Sequence, residues 1–405
     1  MKHIYTLLLL IFSFSGFSQD IINDTFTMEP GYANMVFYNM SEGVVGTAPL
    51  ADWHVAFDVS PMGSSIRING GMGINLYEYG PAEEWDDVDV MSWMPGDALY
   101  NDQTSWSASA FNQNGDGGFD LGWGDYNVVT HVVTGDKVYL LQTLEGDLFK
   151  VQPQSLASGV YTFRSAPADG GDETVISVDK DDFEGNHFAY YALGESAAVD
   201  LEPNSAWDFL FTRYIEDLGD QYYYGVAGAL MSRGTSVQQL DGLDDPYVDG
   251  EIDPDAAVTV TNEVGHDWKE YQFGVGYSIA NDRCYIVNSV SGEQWRMVFT
   301  GFGGTTDGVV ELGKVLEATP SDVGSIAPMA AQVYPNPART GQAIQLDWTG
   351  DHPQTISIVD AMGRTIQAPH LANKGGVIAE GLPPGWYRVL VTSQHSTQSV
   401  SLIVQ

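Results

Sequence analysis

A short aromatic strand pattern occurs twice in this chain, and no other property of the sequence limits the fold as tightly. Residues 34–42 read NMVFYNMSE and residues 187–195 read HFAYYALGE, so Tyr38 and Glu42 fall against Tyr191 and Glu195. A second aromatic run follows each, WHVAF from Trp53 and WDFLF from Trp207, with Pro49 and Pro203 each four residues before the Trp. Gly70 and Gly73 then fall against Gly225 and Gly228, and the offset stays at 153 to 155 residues over this stretch. Further on, GWGDYN with Trp123 and Tyr126 matches HDWKEY with Trp268 and Tyr271. DKVYLLQTLEGDLFK, starting at Asp136, matches DRCYIVNSVSGEQWR, starting at Asp282, with Gly146 and Gly292 at the turns. Self-similarity over this length predicts one structural unit used twice.

The repeated pieces have the period of strands. Trp53, Val55 and Phe57 alternate with His54, Ala56 and Asp58; Trp207, Phe209 and Phe211 alternate with Asp208, Leu210 and Thr212. One set then faces a core and the other faces solvent or a second sheet. Similar β-branched and aromatic runs, broken by Gly, Asn and Asp, continue along the chain without a capped 3.6-residue period. The expected class is all-β, built as sandwiches or partly rolled sheets. Unit one is expected over 25–175 and unit two over 180–320, with Trp53, Phe57, Trp207, Phe211, Trp123 and Trp268 as structural residues. Two separate domains and one pseudo-symmetric body both fit this pattern.

Charge narrows the partners. Residues 20–330 hold 11 basic and 50 acidic side chains, a net of −39, and the whole chain carries −38. No basic stripe is available for a nucleic-acid backbone or an anionic lipid surface. The N-terminus, MKHIYTLLLLIFSFSGFSQD, reads as a signal peptide over 1–18: Lys2, an apolar stretch, then small residues at the cleavage position. No later segment has 18 continuous apolar residues, so no transmembrane segment is expected in the mature chain. Cys284, the single cysteine, lies in an alternating run where Cys284 and Ile286 share one face and Tyr285 and Val287 the other.

Residues 321–330 read as a linker, and beyond it the charge regime changes: 331–405 hold four basic and four acidic groups. The segment begins VYPNPART and continues through ISIVDAMGRTI, GLPPGWYRVLV and a terminal SLIVQ. With Tyr334, Pro335, Asn336 and Pro337 as its opening motif, it resembles the C-terminal sorting domain of the type IX secretion system of Bacteroidetes. That resemblance implies a small Ig-like sandwich, the type IX translocon as partner, and a destination outside the cell or on its outer surface.

The duplicated body resembles the HmuY-type family of β-rich bacterial surface proteins, through the strands at 53–57 and 207–211 and through HDWKEY with its following hairpin. The resemblance implies haem as a cofactor, with histidines as axial ligands. The candidates are His131, His187 and His266, and His54 is the fourth histidine of the body. A calcium reading comes from the acidic run at 241–255, where Asp241, Asp245, Asp249 and Asp253 concentrate hard oxygen ligands in Gly-rich turns. Enzymatic patterns are weak. HExxH and GxSxG are absent, and Ser177 and Lys180 have S-x-x-K spacing in an extended run that points them apart. The leading expectation is therefore an exported, non-enzymatic binding or structural protein with a small-molecule, glycan or protein ligand. Haem capture is the alternative and a secreted hydrolase the third reading. Surplus Trp in turn regions, including Trp85, Trp106 and Trp123, either stacks on a ligand or plugs a sandwich end.

Overall fold

In the strand Asn34–Asn39, Val36 and Tyr38 point to one side and Met35 and Phe37 to the other, and all four are buried. A strand buried on both faces requires a sheet above and a sheet below it. The computed structural model describes residues 20–319 and 330–405, apart from 116, 118, 220–221, 350–352, 361–363, 371–376 and 394–396. The expected signal peptide, 1–18, and the expected linker up to 329 lie outside the described residues.

The strands of the body, in chain order, are β1 (Ile22–Thr27), β2 (Asn34–Asn39), β3 (Gly43–Pro49), β4 (Val55–Asp58), β5 (Ile66–Ile68) and β6 (Asn75–Pro81). After them come β7 (Gly124–Asn127), β8 (Val132–Gly135), β9 (Lys137–Gln142), β10 (Leu148–Ala157) and β11 (Val160–Pro167). The second half holds β12 (Thr174–Asp179), β13 (Phe188–Tyr191), β14 (Phe209–Asp217), β15 (Tyr223–Met231) and β16 (Ser236–Leu240). It closes with β17 (Lys269–Gln272), β18 (Gly276–Ile279), β19 (Cys284–Asn288), β20 (Gln294–Phe302) and β21 (Val309–Ala318).

Four sheets result. The first joins β12, β11, β10, β9 and β6, with the β7–β8 hairpin attached through β10; the second is β13-β4-β5. The third is β15-β14-β2-β3 and the fourth is β1-β21-β20-β19-β16. Val55, Phe57, Ala189 and Tyr191 of the second sheet pack on Tyr139, Tyr161 and Phe163 of the first, closing one sandwich. Tyr38, Phe209 and Phe211 of the third pack on Tyr285, Trp295 and Phe299 of the fourth, closing another. The outer faces of the second and third sheets then bury each other through Met35, Phe37, Ala56, Phe188, Tyr190 and Leu210. Each of these large apolar side chains contributes roughly 1.5–3 kcal/mol by leaving water.

Strands cross between the two halves of the sequence. β2 pairs with β14, with Tyr38 opposite Phe209, and β4 pairs with β13, with Phe57 opposite Ala189. β1 closes the edge of a sheet made from second-half strands, and β12 closes the edge of a sheet made from first-half strands. Residues from both 25–175 and 180–320 are therefore needed for each sandwich.

Two details differ from the sequence expectation, and a third falls on one side of an alternative it left open. Trp53 and Trp207 do not share a face with Phe57 and Phe211: each sits just before its strand and packs in the layer between sandwiches, while each Phe enters a sandwich core. Trp53 meets Tyr190 edge-on with ring centroids 5.3 Å apart, and Trp207 meets Phe37 edge-on, also at 5.3 Å. The glycine correspondence does not extend to conformation, because Gly70 lies in a 3-10 turn that Gly73 caps, whereas Gly225 and Gly228 lie inside β15. A β-carbon on Gly228 would stand 2.2 Å from the Gly265 carbonyl oxygen, so that glycine serves a close backbone approach. Finally, three turn-region tryptophans are plugs. Trp123 and Trp106 are buried, and Trp85 is held between Lys150 and Arg164 at 4.6 and 4.0 Å from its ring.

Residues 330–405 form a seven-stranded structure of their own. β22 (Ala330–Tyr334), β23 (Ile344–Thr349) and β26 (Val377–Ala379) make one sheet. β24 (Pro353–Asp360), β25 (Thr365–His370), β27 (Gly385–Ser393) and β28 (Thr397–Val404) make the other. Leu346, Trp348, Ile356, Ile358, Val389, Val391 and Leu402 fill the core between them. In the opening motif, Tyr334 is exposed and the Tyr334–Pro335 and Asn336–Pro337 peptides are cis. Asn336 fastens the last strand, donating to the Ser401 carbonyl at 2.7 Å and accepting from the Ile403 amide at 3.0 Å.

Candidate functional site

A cleft of about 650 Å³ opens at one end of the second sandwich. Its first wall is the β17–β18 hairpin. The sequence EYQFGVGYS brackets a Gly-rich turn with two tyrosines, and Tyr271 and Tyr277 are cross-strand partners with ring centroids 5.3 Å apart. Trp268, immediately before the hairpin, is buried and stacks on Phe299 at 3.9 Å, and the Tyr277 edge meets Phe302 at 4.8 Å. A β-carbon on Gly304, at φ +71°, would come within 2.7 Å of the Tyr277 ring, so this turn needs glycine twice over.

The opposite wall carries Arg213 of β14 and Tyr224 of β15, and the rim carries Tyr32 and His266. Tyr32 holds φ +61°, a left-handed conformation rare for a bulky side chain and typical of places where structure serves a ligand. Burial, then the hydrogen bond with Tyr277, pushes the Tyr32 hydroxyl well above the ordinary phenol value. Lys269 donates to the carbonyls of Ala227 and His266 at 2.5 and 3.3 Å, and burial lowers its pKa to about 7. It anchors the hairpin rather than presenting charge. Burial, reinforced by the Lys269 cation, lowers the pKa of His266, so its imidazole is neutral at pH 7. The cleft therefore offers an exposed guanidinium, an imidazole and the accessible rings of Tyr224, Tyr271 and Tyr277, with the buried Tyr32 behind them. No Asp or Glu lines it among the described residues.

The sequence-selected histidines are not brought together. His131 is exposed, at φ +58°, with its Nδ1 2.7 Å from the Tyr126 hydroxyl, and lines a cavity of the first sandwich. His187 is half-buried in the layer between sandwiches, its ring 4.4 Å from that of Trp207, and burial lowers its pKa to about 3. His266 lines the cleft described above. His54 accepts the Leu193 amide at 3.0 Å on its Nδ1. The pair of axial histidines that the HmuY resemblance implies does not fit these positions.

Nor do the aspartates converge. Asp241 pairs with Arg283 at 2.6 Å; Asp245 accepts from the Tyr247 amide and Asp253 from the Asp255 amide, both at 3.0 Å; Asp249 accepts from the Asp245 amide at 2.8 Å. Local turn bonds use the oxygens that a cation would need. Among the described residues no group of three His, Cys, Asp or Glu side chains is placed to hold a metal. Ser177 is exposed, whereas the Lys180 ammonium is turned inward onto the Ser60 and Gly63 carbonyls at 2.7 and 2.5 Å. Cys284 is buried with Ile286, opposite Tyr285 and Val287, and accepts from Arg296 at 3.2 Å.

Comparison with known proteins identifies the tail. Residues 332–405 match the family described as the secretion system C-terminal sorting domain. The chain leaves the cell by the type IX route, for release or attachment at the outer surface. No curated protein matches the sequence. Among solved structures, the N-terminal four Ig domains of Dscam1 isoform 4.44 are 12% identical, with 87% of this chain and 71% of that one covered, at a TM-score of 0.16. Isoform 7.44 gives 12% identity, 88% and 100% coverage, and a TM-score of 0.18. Among the described residues no helix is long and apolar enough to cross a membrane.

Proposed function

We propose that this exported protein is a non-enzymatic binding module whose tyrosine cleft takes a neutral saccharide. The observation that carries this reading is the grouping of Tyr32, Tyr224, Tyr271 and Tyr277 around one open cleft beside an exposed arginine. Tyrosine faces stack on the apolar side of a sugar ring, and a guanidinium fork donates to pairs of hydroxyls. Neutrality follows from charge: a body with a net of −39 repels polyanions at long range, while an uncharged ring meets no such barrier.

The test is calorimetric titration of the full chain with cellohexaose, laminarihexaose, xylohexaose and mannohexaose, with oligogalacturonate as the anionic control. A neutral hexaose should bind and the galacturonate should not. Tyr271→Ala should weaken binding about tenfold, or ~1.4 kcal/mol, without changing Tm, since Tyr271 is 60% exposed. Affinity and stoichiometry both left unchanged by Tyr271→Ala and Arg213→Gln would remove the cleft from the account. A sharp Soret band on adding haem, lost in His266→Ala, would favour the haem alternative instead.

The same reading includes a duplicated unit in which β1 and β2 of one copy correspond to β12 and β13 of the other. Matched contacts support it. Asp208 accepts the Met40 amide at 2.8 Å, and His54, at the matching position, accepts the Leu193 amide at 3.0 Å. The 143–147 and 289–293 turns close with the same pair of bonds, Gly146 to Thr143 and Gly292 to Ser289. Trp123 and Trp268 are both buried and both donate to a nearby carbonyl, of Ser64 and Gly265.

A further inference from the structure

The first sandwich has a cleft of its own, about 510 Å³, and its position follows from the strand order. Its wall is the β7–β8 hairpin, which stands just after the buried Trp123 as β17–β18 stands just after the buried Trp268. Tyr126 follows Trp123 by three residues and lines this cleft; Tyr271 follows Trp268 by three residues and lines the other. The floor comes from the β4–β5, β10–β11 and β12–β13 connections, through Ser64, Ser158 and Lys180. In the second sandwich the β14–β15, β20–β21 and β1–β2 connections do the same through Leu218, Thr305 and Tyr32.

Two further observations mark the first cleft as shaped for a ligand. Phe119 is 57% exposed at its mouth, its ring 6.1 Å from that of Tyr126, which leaves an aromatic surface in water. His131 and Ser158 both line it at positive φ, +58° and +50°, two of the five such non-glycine residues among those described. Among the described residues Lys180 is the one Lys, Arg, Asp or Glu that lines it, and its ammonium is spent on backbone carbonyls.

We infer that the chain is bivalent: the Phe119–Tyr126–His131 cleft is a second saccharide site, equivalent in fold position to the tyrosine cleft but without its guanidinium. This rests on the saccharide reading of the tyrosine cleft. Phe119 and Tyr126 supply the stacking faces, and His131 and Ser158 supply hydrogen bonds to hydroxyls. Two sites on one chain gain from a polymer what neither gains from a short oligomer, since the second binding event becomes intramolecular.

The experiment is native mass spectrometry of the full chain with the four neutral hexaoses, paired with binding to the corresponding polysaccharides. Two hexaoses should bind per chain, and a polymer should bind about 10²-fold more tightly than its hexaose. Phe119→Ala and Tyr126→Ala should each reduce the stoichiometry to one and abolish the polymer gain, and Tyr271→Ala should do the same from the other cleft. Phe119 is exposed, so its variant keeps the fold and the loss is interpretable. A stoichiometry of one, lost in Tyr271→Ala but unchanged in Phe119→Ala, overturns the second site and leaves the first intact. Binding at neither cleft overturns both.

Discussion

The two sandwiches agree inside and differ at their mouths. Trp123, Tyr139 and Phe57 lie in the core of one sandwich, and Trp268, Tyr285 and Phe211, which fall against them in the sequence, lie in the core of the other. At the mouths, Arg213, Tyr32, Tyr224 and Tyr277 of one cleft face Phe119, His131, Ser158 and Lys180 of the other. Core positions answer to close packing, which tolerates few shapes, whereas connections at a sheet end answer to solvent and ligand. The contrast teaches that a shared frame sets where a cleft forms, and the connections set what enters it.

The largest effect should come from cutting the frame. Because β1 and β2 complete second-half sheets and β12 and β13 complete first-half sheets, residues 20–170 and 171–320 expressed separately should each be unfolded by circular dichroism and regain structure on mixing. A half that folds cooperatively alone would break the exchanged-strand comparison.

Next come the paired cores. Trp123→Ala and Trp268→Ala should each cost about 3–5 kcal/mol in denaturant unfolding, and by similar amounts if the two sites are equivalent. A large inequality would show that one sandwich carries the fold.

Smaller and sharper is a pH effect in the layer between sandwiches. Burial depresses the pKa of His187 to about 3, so between 6.5 and 3 the unfolded chain binds more protons and stability falls with falling pH. Burial raises the pKa of Glu202 to about 7, against the bonds it accepts from His187, Phe188, Tyr190 and Trp207. Between 4.5 and 7 the folded chain therefore binds more protons, and stability rises with falling pH. The two slopes oppose each other between 4.5 and 6.5. Glu202→Gln should expose the histidine slope, with Tm dropping steadily across that window; a flat Tm would contradict the neutral, buried His187.

Much of this was legible in the sequence. Period-two alternation gave the strands and both faces of Cys284, whereas the pairing of Gly70 and Gly73 with Gly225 and Gly228 set a 3-10 turn against a strand. The charge step and the YPNP motif marked the tail. The strand exchange was not legible, because pairing partners distant in sequence leave no local trace in alternation. Trp53 and Trp207 were misassigned in face because the chain bends at His54 and at Asp208, between each Trp and its strand, and breaks the period. The cleft was partly visible: Tyr271 stood in a repeated motif, whereas its cross-strand partner Tyr277 lies outside every repeat. Arg213 and Tyr32 reach the same space only through β14 and the β1–β2 connection, which no local pattern announces.

The most direct test of the saccharide cleft is fluorine NMR of the full chain labelled with 3-fluorotyrosine, titrated with the hexaose that binds. The account predicts shifts at the Tyr271, Tyr277 and Tyr224 resonances, assigned by single Tyr→Phe variants, while the buried Tyr139 and Tyr285 stay in place. Saturable shifts confined to other tyrosines, with these three unmoved, would contradict it.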